Sequence, residues 1–61
     1  MSEIQKLSSY VSDDGNRKAV VSVVLGTNNY IVQLTSDTGS AYSANFNSEE
    51  SAEQYAENYV L

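Results

Sequence analysis

The chain has no cysteine, no histidine and no tryptophan, and its second half has no basic residue. Each absence removes a class of chemistry. Without cysteine there are no disulfides and no thiolate metal site. Without histidine the commonest transition-metal ligand and the commonest general base are gone. Only Lys6, Arg17 and Lys18 are cationic, too few for the basic stripe that holds a phosphate backbone, so direct nucleic-acid binding is not expected. The longest apolar run, Ala19 to Leu25, is interrupted at Ser22, far short of the roughly 20 residues that span a bilayer. Met1-Ser2-Glu3 lacks the basic-then-apolar pattern of a signal peptide, so a cytoplasmic location and no membrane contact are expected.

Sixty-one residues make one domain, 1–61. A chain this short buries only about 60% of the surface that its unfolded form exposes. Its core supplies about 3–5 kcal/mol of net stability at most. With disulfides and thiolate metals excluded, either tight packing or a partner chain must make up the difference, and a homo-oligomer is one expectation.

The net charge of −5 is unevenly placed. In residues 1–30, Glu3, Asp13 and Asp14 balance Lys6, Arg17 and Lys18. Asp37, Glu49, Glu50, Glu53 and Glu57 in the second half are unopposed.

Three polar turn signals divide the chain: Asp13-Asp14-Gly15-Asn16, Gly26-Thr27-Asn28-Asn29 and Asp37-Thr38-Gly39-Ser40. Short segments rich in Val, Ile, Tyr and Thr lie between them, which suits a pleated surface. Over 17–25, Ala19, Val21, Val23 and Leu25 alternate with Val20, Ser22 and Val24. Both rows are largely apolar, so a central strand is expected. Tyr30, Val32 and Leu34 alternate with Ile31, Gln33 and Thr35 over 30–35; Tyr42, Ala44 and Phe46 alternate with Ala41, Ser43 and Asn45 over 41–46. The first segment reads two ways. Leu7, Ser9 and Val11 alternate with Ser8 and Tyr10 as in a strand over 5–12. Ile4, Leu7 and Val11 are also spaced as on a helix, with Ser2 and Gln5 resembling a capping box. The Asp-Gly turn favours the strand, because it closes a hairpin onto 17–25.

A helix is expected over about 48–59. Asn47 or Ser48 can cap it, and Asn47 with Glu50 has capping-box spacing. Glu49 and Glu50 suit the positive end of the helix dipole. Ala52, Tyr55, Ala56 and Tyr59 form an apolar stripe at i, i+3, i+4, i+7. The alanines allow close approach to a sheet, and the tyrosines fill the flanks. Tyr55→Ala would cost about 3–5 kcal/mol if Tyr55 were fully buried. The expected fold is therefore α+β: a three- to four-stranded antiparallel meander with one C-terminal helix on one face.

The run Tyr30-Ile31-Val32-Gln33-Leu34, a Gly turn, and then Phe46-Asn47-Ser48-Glu49-Glu50-Ser51-Ala52-Glu53-Gln54-Tyr55-Ala56-Glu57-Asn58-Tyr59-Val60-Leu61 resembles small uncharacterised proteins of tailed phages, those of cyanophages in particular. They join a short strand meander to a terminal helix of the pattern Glu-Glu-x-Ala-Glu-x-Tyr-Ala-Glu-Asn. The resemblance covers about the last half of the chain. It implies a phage accessory protein made in a bacterial host, and it carries no residue role. The layout is also similar, more faintly, to that of AP2-type DNA-binding domains, which read DNA with Arg and Trp on the sheet. This chain has no Trp and does not carry Arg at the equivalent strand positions, so that function is not implied.

No residue pattern points to catalysis. Serines and threonines are scattered without a base, and only Lys6 and Lys18 supply amines. Gly15, Gly26 and Gly39 are isolated turn glycines, with no Gly-x-Gly phosphate loop. Asp13 and Asp14 lack the spacing of a calcium loop and read as a solvated turn. No catalytic, cofactor or metal site is expected.

Two features point to contact surfaces. Glu49, Glu53 and Glu57 repeat at i, i+4, i+8 without a compensating lysine. Such like-charge pairs destabilise an isolated helix by roughly 0.2–0.5 kcal/mol each. The stripe is read as a solvated face or as a docking surface for a basic host protein. Val20, Val24 and Ile31 share one sheet face. The central strand is apolar on both sides, so the pattern does not fix which face the helix covers. If it covers the other one, an uncovered apolar patch here would mark a contact, with sheet-to-sheet homodimerisation the natural form. Three functions follow: a non-enzymatic acidic interaction module, a structural homo-oligomer without a host target, and a nucleic-acid mimic that blocks a basic groove.

Overall fold

The computed structural model describes residues 3–61. Four strands, β1 (Ile4–Val11), β2 (Arg17–Val24), β3 (Tyr30–Ser36) and β4 (Ala41–Phe46), precede one helix, α1 (Glu49–Val60). The strands form one antiparallel sheet in the order β1-β2-β3-β4. Each neighbour in sequence is thus a neighbour in space, which is the arrangement that short polar turns impose. The helix lies mainly over β2 and β3. The first segment is a strand, not the alternative helix; the Ser2 cap of that helix lies outside the described residues.

Register decides which face the helix covers. Val21 stands opposite Ser8 on β1 and Val32 on β3, and Val32 stands opposite Ala44. Ala19 is likewise flanked by Tyr10 and Leu34. These rows face α1. The buried core is Ala19, Val21, Val32 and Leu34 from the sheet, with Ala52 and Ala56 from the helix. Tyr10, Tyr30, Phe46, Tyr59 and Val60 pack around it, half-buried. The opposite rows of β2 and β3, with Val20, Val24 and Ile31, form a face that no helix covers.

The first turn is set by Asp14. Its carboxylate accepts from the Ser12 hydroxyl at 2.6 Å and from the Asn16 amide at 3.0 Å. These two bonds hold the carboxyl below its ordinary range. Gly15 then sits at φ +74°, a conformation that an L side chain rarely adopts. Asp14 therefore serves the hairpin.

The helix start differs from the expected box. Ser48 is the N-cap, with its hydroxyl accepting from the Ser51 amide at 3.2 Å. Serine at 51 leaves no carboxylate to reach back, so Asn47 and Glu50 form no capping box. At the other end the helix has no basic residue of its own. Arg17 from β2 fills that place. It donates to the carbonyl of Leu61 at 3.3 Å and stands 5.9 Å from the centre of the Tyr59 ring. A cation is favourable at this end of the dipole. Tyr59 in turn donates to the Thr35 carbonyl at 3.3 Å.

Tyr55 does not meet the full-burial condition. It is 36% exposed, and its ring tilts against Phe46 at a centroid distance of 5.1 Å. The closest packing of α1 on the sheet comes from the two alanines, and the cost of removing Tyr55 is correspondingly below that of a core aromatic.

Candidate interaction surfaces

Glutamates 49, 53 and 57 project from the flank of α1 that faces β1, because their spacing advances slowly round the helix. With Glu50, Gln54 and Tyr10 they line one open groove along the α1–β1 seam. Glu49, Glu50 and Glu57 are exposed, whereas Glu53 is half-buried. Glu53 accepts from the Ser8 hydroxyl and the Tyr10 hydroxyl, each at 2.8 Å. One carboxylate thus ties the helix to the edge strand.

The sequence pattern did not reveal this pairing. The apolar row of the first segment, Leu7 and Val11, looks like the inward one. A register shift between Lys6 and Ser8 places a bulge at Leu7, after which Ser8 and Tyr10 face α1. The available signal was the pair of hydroxyls in alternate positions, which can only be used once a carboxylate is known to lie above them.

The Tyr10 bond, and then the Ser8 bond, hold the Glu53 carboxyl below its ordinary range. The same bond to Glu53 raises the Tyr10 hydroxyl above its ordinary 10.0. Both shifts favour the state in which tyrosine donates to carboxylate. The contribution from Glu53 is complete above the usual carboxylate range and is lost as pH falls through its depressed folded value. That from Tyr10 is present below the ordinary tyrosine value and is lost as pH rises through the raised one. Tyr10→Phe is therefore expected to move the Glu53 midpoint up towards the usual range, read by carbon-13 NMR titration of the side-chain carboxyl. An unmoved midpoint would show that the bond does not govern this carboxylate. Chemically, a carboxylate made less basic by two hydroxyl donors is suited to holding position, not to taking protons near neutral pH.

Charge is segregated across the molecule. Lys6 pairs with Ser22 and Lys18 with Thr35 on the sheet face opposite α1. Arg17 is engaged at the end of the helix. Among the described residues the glutamate groove therefore contains no cation. Asp37 is remote from it. Its amide donates to the Asn16 carbonyl at 2.8 Å, which brings the β3–β4 turn beside the β1–β2 turn with Asp13 and Asp14. These seven acids thus form two separate groups. Among the described residues no group of three or more carboxylates is placed to hold a metal ion.

The open sheet face is mixed. Val20, Val24 and Ile31 are half-buried although no element lies over them, and Ile4 and Val11 at the β1 edge are 63% and 57% exposed. Ser9, Ser22, Gln33, Thr35, Ser43, Asn45 and the two lysines share this face with them. The apolar residues thus form an interrupted column between polar ones. No protein-family profile, curated protein or solved structure matches the chain. No helix among the described residues is long and apolar enough to cross a membrane.

Proposed function

We propose that this domain is a non-enzymatic interaction module that presents the acidic α1–β1 seam to a basic partner protein. The supporting observation is the groove lined by Glu49, Glu50, Glu53 and Glu57, with both lysines on the far side of the sheet. A partner that brings lysine or arginine to this flank meets unopposed carboxylates, which steer the encounter and fix its orientation. Together with the resemblance to tailed-phage proteins, this suggests an accessory protein that acts on a bacterial host protein. The nucleic-acid-mimic reading ranks below it. A helix of 12 residues spans only about 18 Å, and Asp37 does not extend its acidic surface.

The direct test is charge reversal at the exposed positions. Glu49→Lys with Glu57→Lys leaves Glu53 on Ser8 and Tyr10, so the seam stays closed while its charge changes sign. Capture of the basic partner from host lysate is expected to be lost, with the far-UV circular dichroism unchanged. The wild-type interaction should also weaken with added salt, since exposed charges are screened within about 10 Å at 0.1 M. Capture that survives both the reversal and high salt would overturn the acidic-docking reading. The homo-oligomer reading places Val20, Val24 and Ile31 in a sheet-to-sheet contact. The exposed Ile4 and Val11 on the same face favour it, and the two lysines, which would approach those of a second copy, oppose it.

A further inference from the structure

The two edges of the sheet are not alike. Edge strands present unpaired N–H and carbonyl groups and are normally blunted by charge, bulges or proline. On β1 the blunting is visible: Lys6 and the bulge at Leu7 interrupt the outer edge. On β4 there is none. Ala41-Tyr42-Ser43-Ala44-Asn45-Phe46 carries no charge, and neither do the flanking Ser40, Asn47 and Ser48. Its pairing with β3 is regular throughout.

Hydrogen bonding identifies the free groups. The Ser36 amide donates to the Ser40 carbonyl, and antiparallel ladders alternate, so positions 42, 44 and 46 turn their backbone groups towards β3. The β2–β3 ladder agrees, since the Val24 amide donates to the Asn29 carbonyl and so turns 31, 33 and 35 away from β4. Ala41, Ser43 and Asn45 consequently point their N–H and carbonyl groups outward.

We propose that a second copy of this chain pairs on β4, strand against antiparallel strand, about a two-fold axis at Ser43. In this register Ser43 faces Ser43 of the second copy, and Ala41 faces its Asn45. Every outward N–H and carbonyl of both strands is then used, and the sheet becomes continuous across the two chains. The side chains fit the same register. Tyr42 is 63% exposed on the α1 side, and it comes directly opposite Ala44 of the second copy in the closer type of pair, about 4.5 Å between Cα atoms. A large ring thus lies over a small residue, twice by symmetry. On the other face only Ala41, Ser43 and Asn45 meet. Each chain carries a net charge of −5, and this uncharged strand lets two copies approach without opposing like charges. A six-residue contact is smaller than the standard interface of about 1,200–2,000 Å², so the dimer should form between micromolar and millimolar concentration.

Ser43→Pro tests the contact. The amide lost is an outward one, and proline is tolerated at such edge positions. Ser43→Lys is the second variant; it leaves all backbone groups intact and opposes two cations across the axis. By sedimentation equilibrium the wild type is expected to pass from the 6.7 kDa chain to twice that mass. Both variants should raise the dissociation constant roughly tenfold or more while keeping the wild-type circular dichroism. The amides of Ala41, Ser43 and Asn45 should exchange slowly with solvent at high concentration and quickly at low. A single chain at millimolar concentration would overturn the proposal. So would a dimer in which those three amides exchange quickly and which Val20→Lys, not Ser43→Lys, dissociates, because that is stacking through the open sheet face.

Discussion

Leu34→Ala is expected to leave the chain largely unfolded at 25 °C. Leu34 is 5% exposed and stands between Ala19 of β2 and Tyr42 of β4, with the helix above. Truncation removes the transfer energy of its buried methyl groups and leaves a cavity, about 2–5 kcal/mol together. The whole domain has about 3–5 kcal/mol to lose. The other buried core side chains, Val21, Val32 and the alanines Ala19, Ala52 and Ala56, are all smaller than leucine, so no neighbour is big enough to fill the gap. Urea titration followed by far-UV circular dichroism checks this. Wild type should show a cooperative transition, and the variant little or no folded baseline. Leu25→Ala is the control, because Leu25 is 43% exposed in the β2–β3 turn and its loss should be small. A Leu34 variant that stays folded with a loss under about 1 kcal/mol would mean that this core collapses around vacancies.

The period-2 segments made the sheet legible, and the stripe at Ala52 and Ala56 made the helix legible. Both are repeated local patterns that survive tertiary context. The central strand hid its orientation, since Val20 and Val24 are as apolar as Val21 and Val23. Only the register with Tyr30, Val32 and Leu34 shows which row α1 covers. The site was less readable than the fold. Glu49, Glu53 and Glu57 are periodic in the sequence, but which flank of the helix meets β1 depends on how α1 crosses the sheet. The inward turn of Ser8 and Tyr10 follows from a bulge at Leu7, and a single extra residue in a ladder leaves no mark in hydropathy alternation. A polar inward pair is stable there because Glu53 completes it, and no buried side-chain polar atom lacks a partner among the described residues. The capping box failed for a similar reason: Asn47 and Ser48 both suit a cap, and the chain path after Phe46 selects Ser48.

These observations make the stability of the domain and the form of its acidic surface a single problem. Glu53 spends its negative charge on β1, while Glu49, Glu50 and Glu57 remain free. The helix that displays them is held at four places: by Ser8 and Tyr10 at its β1 flank, by Phe46 against Tyr55 at its β4 flank, by Tyr59 on the Thr35 carbonyl of β3, and by Arg17 at its end. Each is individually modest. A change that lifts the helix from the sheet would loosen all of them together and disperse the glutamates.

Ala56→Leu is such a change. Ala56 and Ala52 are both 0% exposed, so their methyl groups set how near α1 comes to Val21 and Val32. Leucine is almost as good a helix former as alanine; any destabilisation therefore reports packing, not helix propensity. Three added heavy atoms must displace either the helix or the sheet side chains, at about 1–3 kcal/mol. For a domain of this size that corresponds to a fall in Tm of roughly 5–20 °C. Thermal unfolding by circular dichroism measures it. The Tyr10 hydroxyl adds a second readout. As α1 rises, its bond to Glu53 should lengthen and break, and the Glu53 midpoint should climb towards the ordinary carboxylate range as in Tyr10→Phe. A raised Tm would show that the seam between helix and sheet holds unfilled space, and that the alanines are not what fixes the position of the acidic flank. A lowered Tm with an unchanged Glu53 midpoint would place the strain at the β4 side, around Phe46 and Tyr55, and leave the β1 tie as the firmer anchor of the glutamate groove.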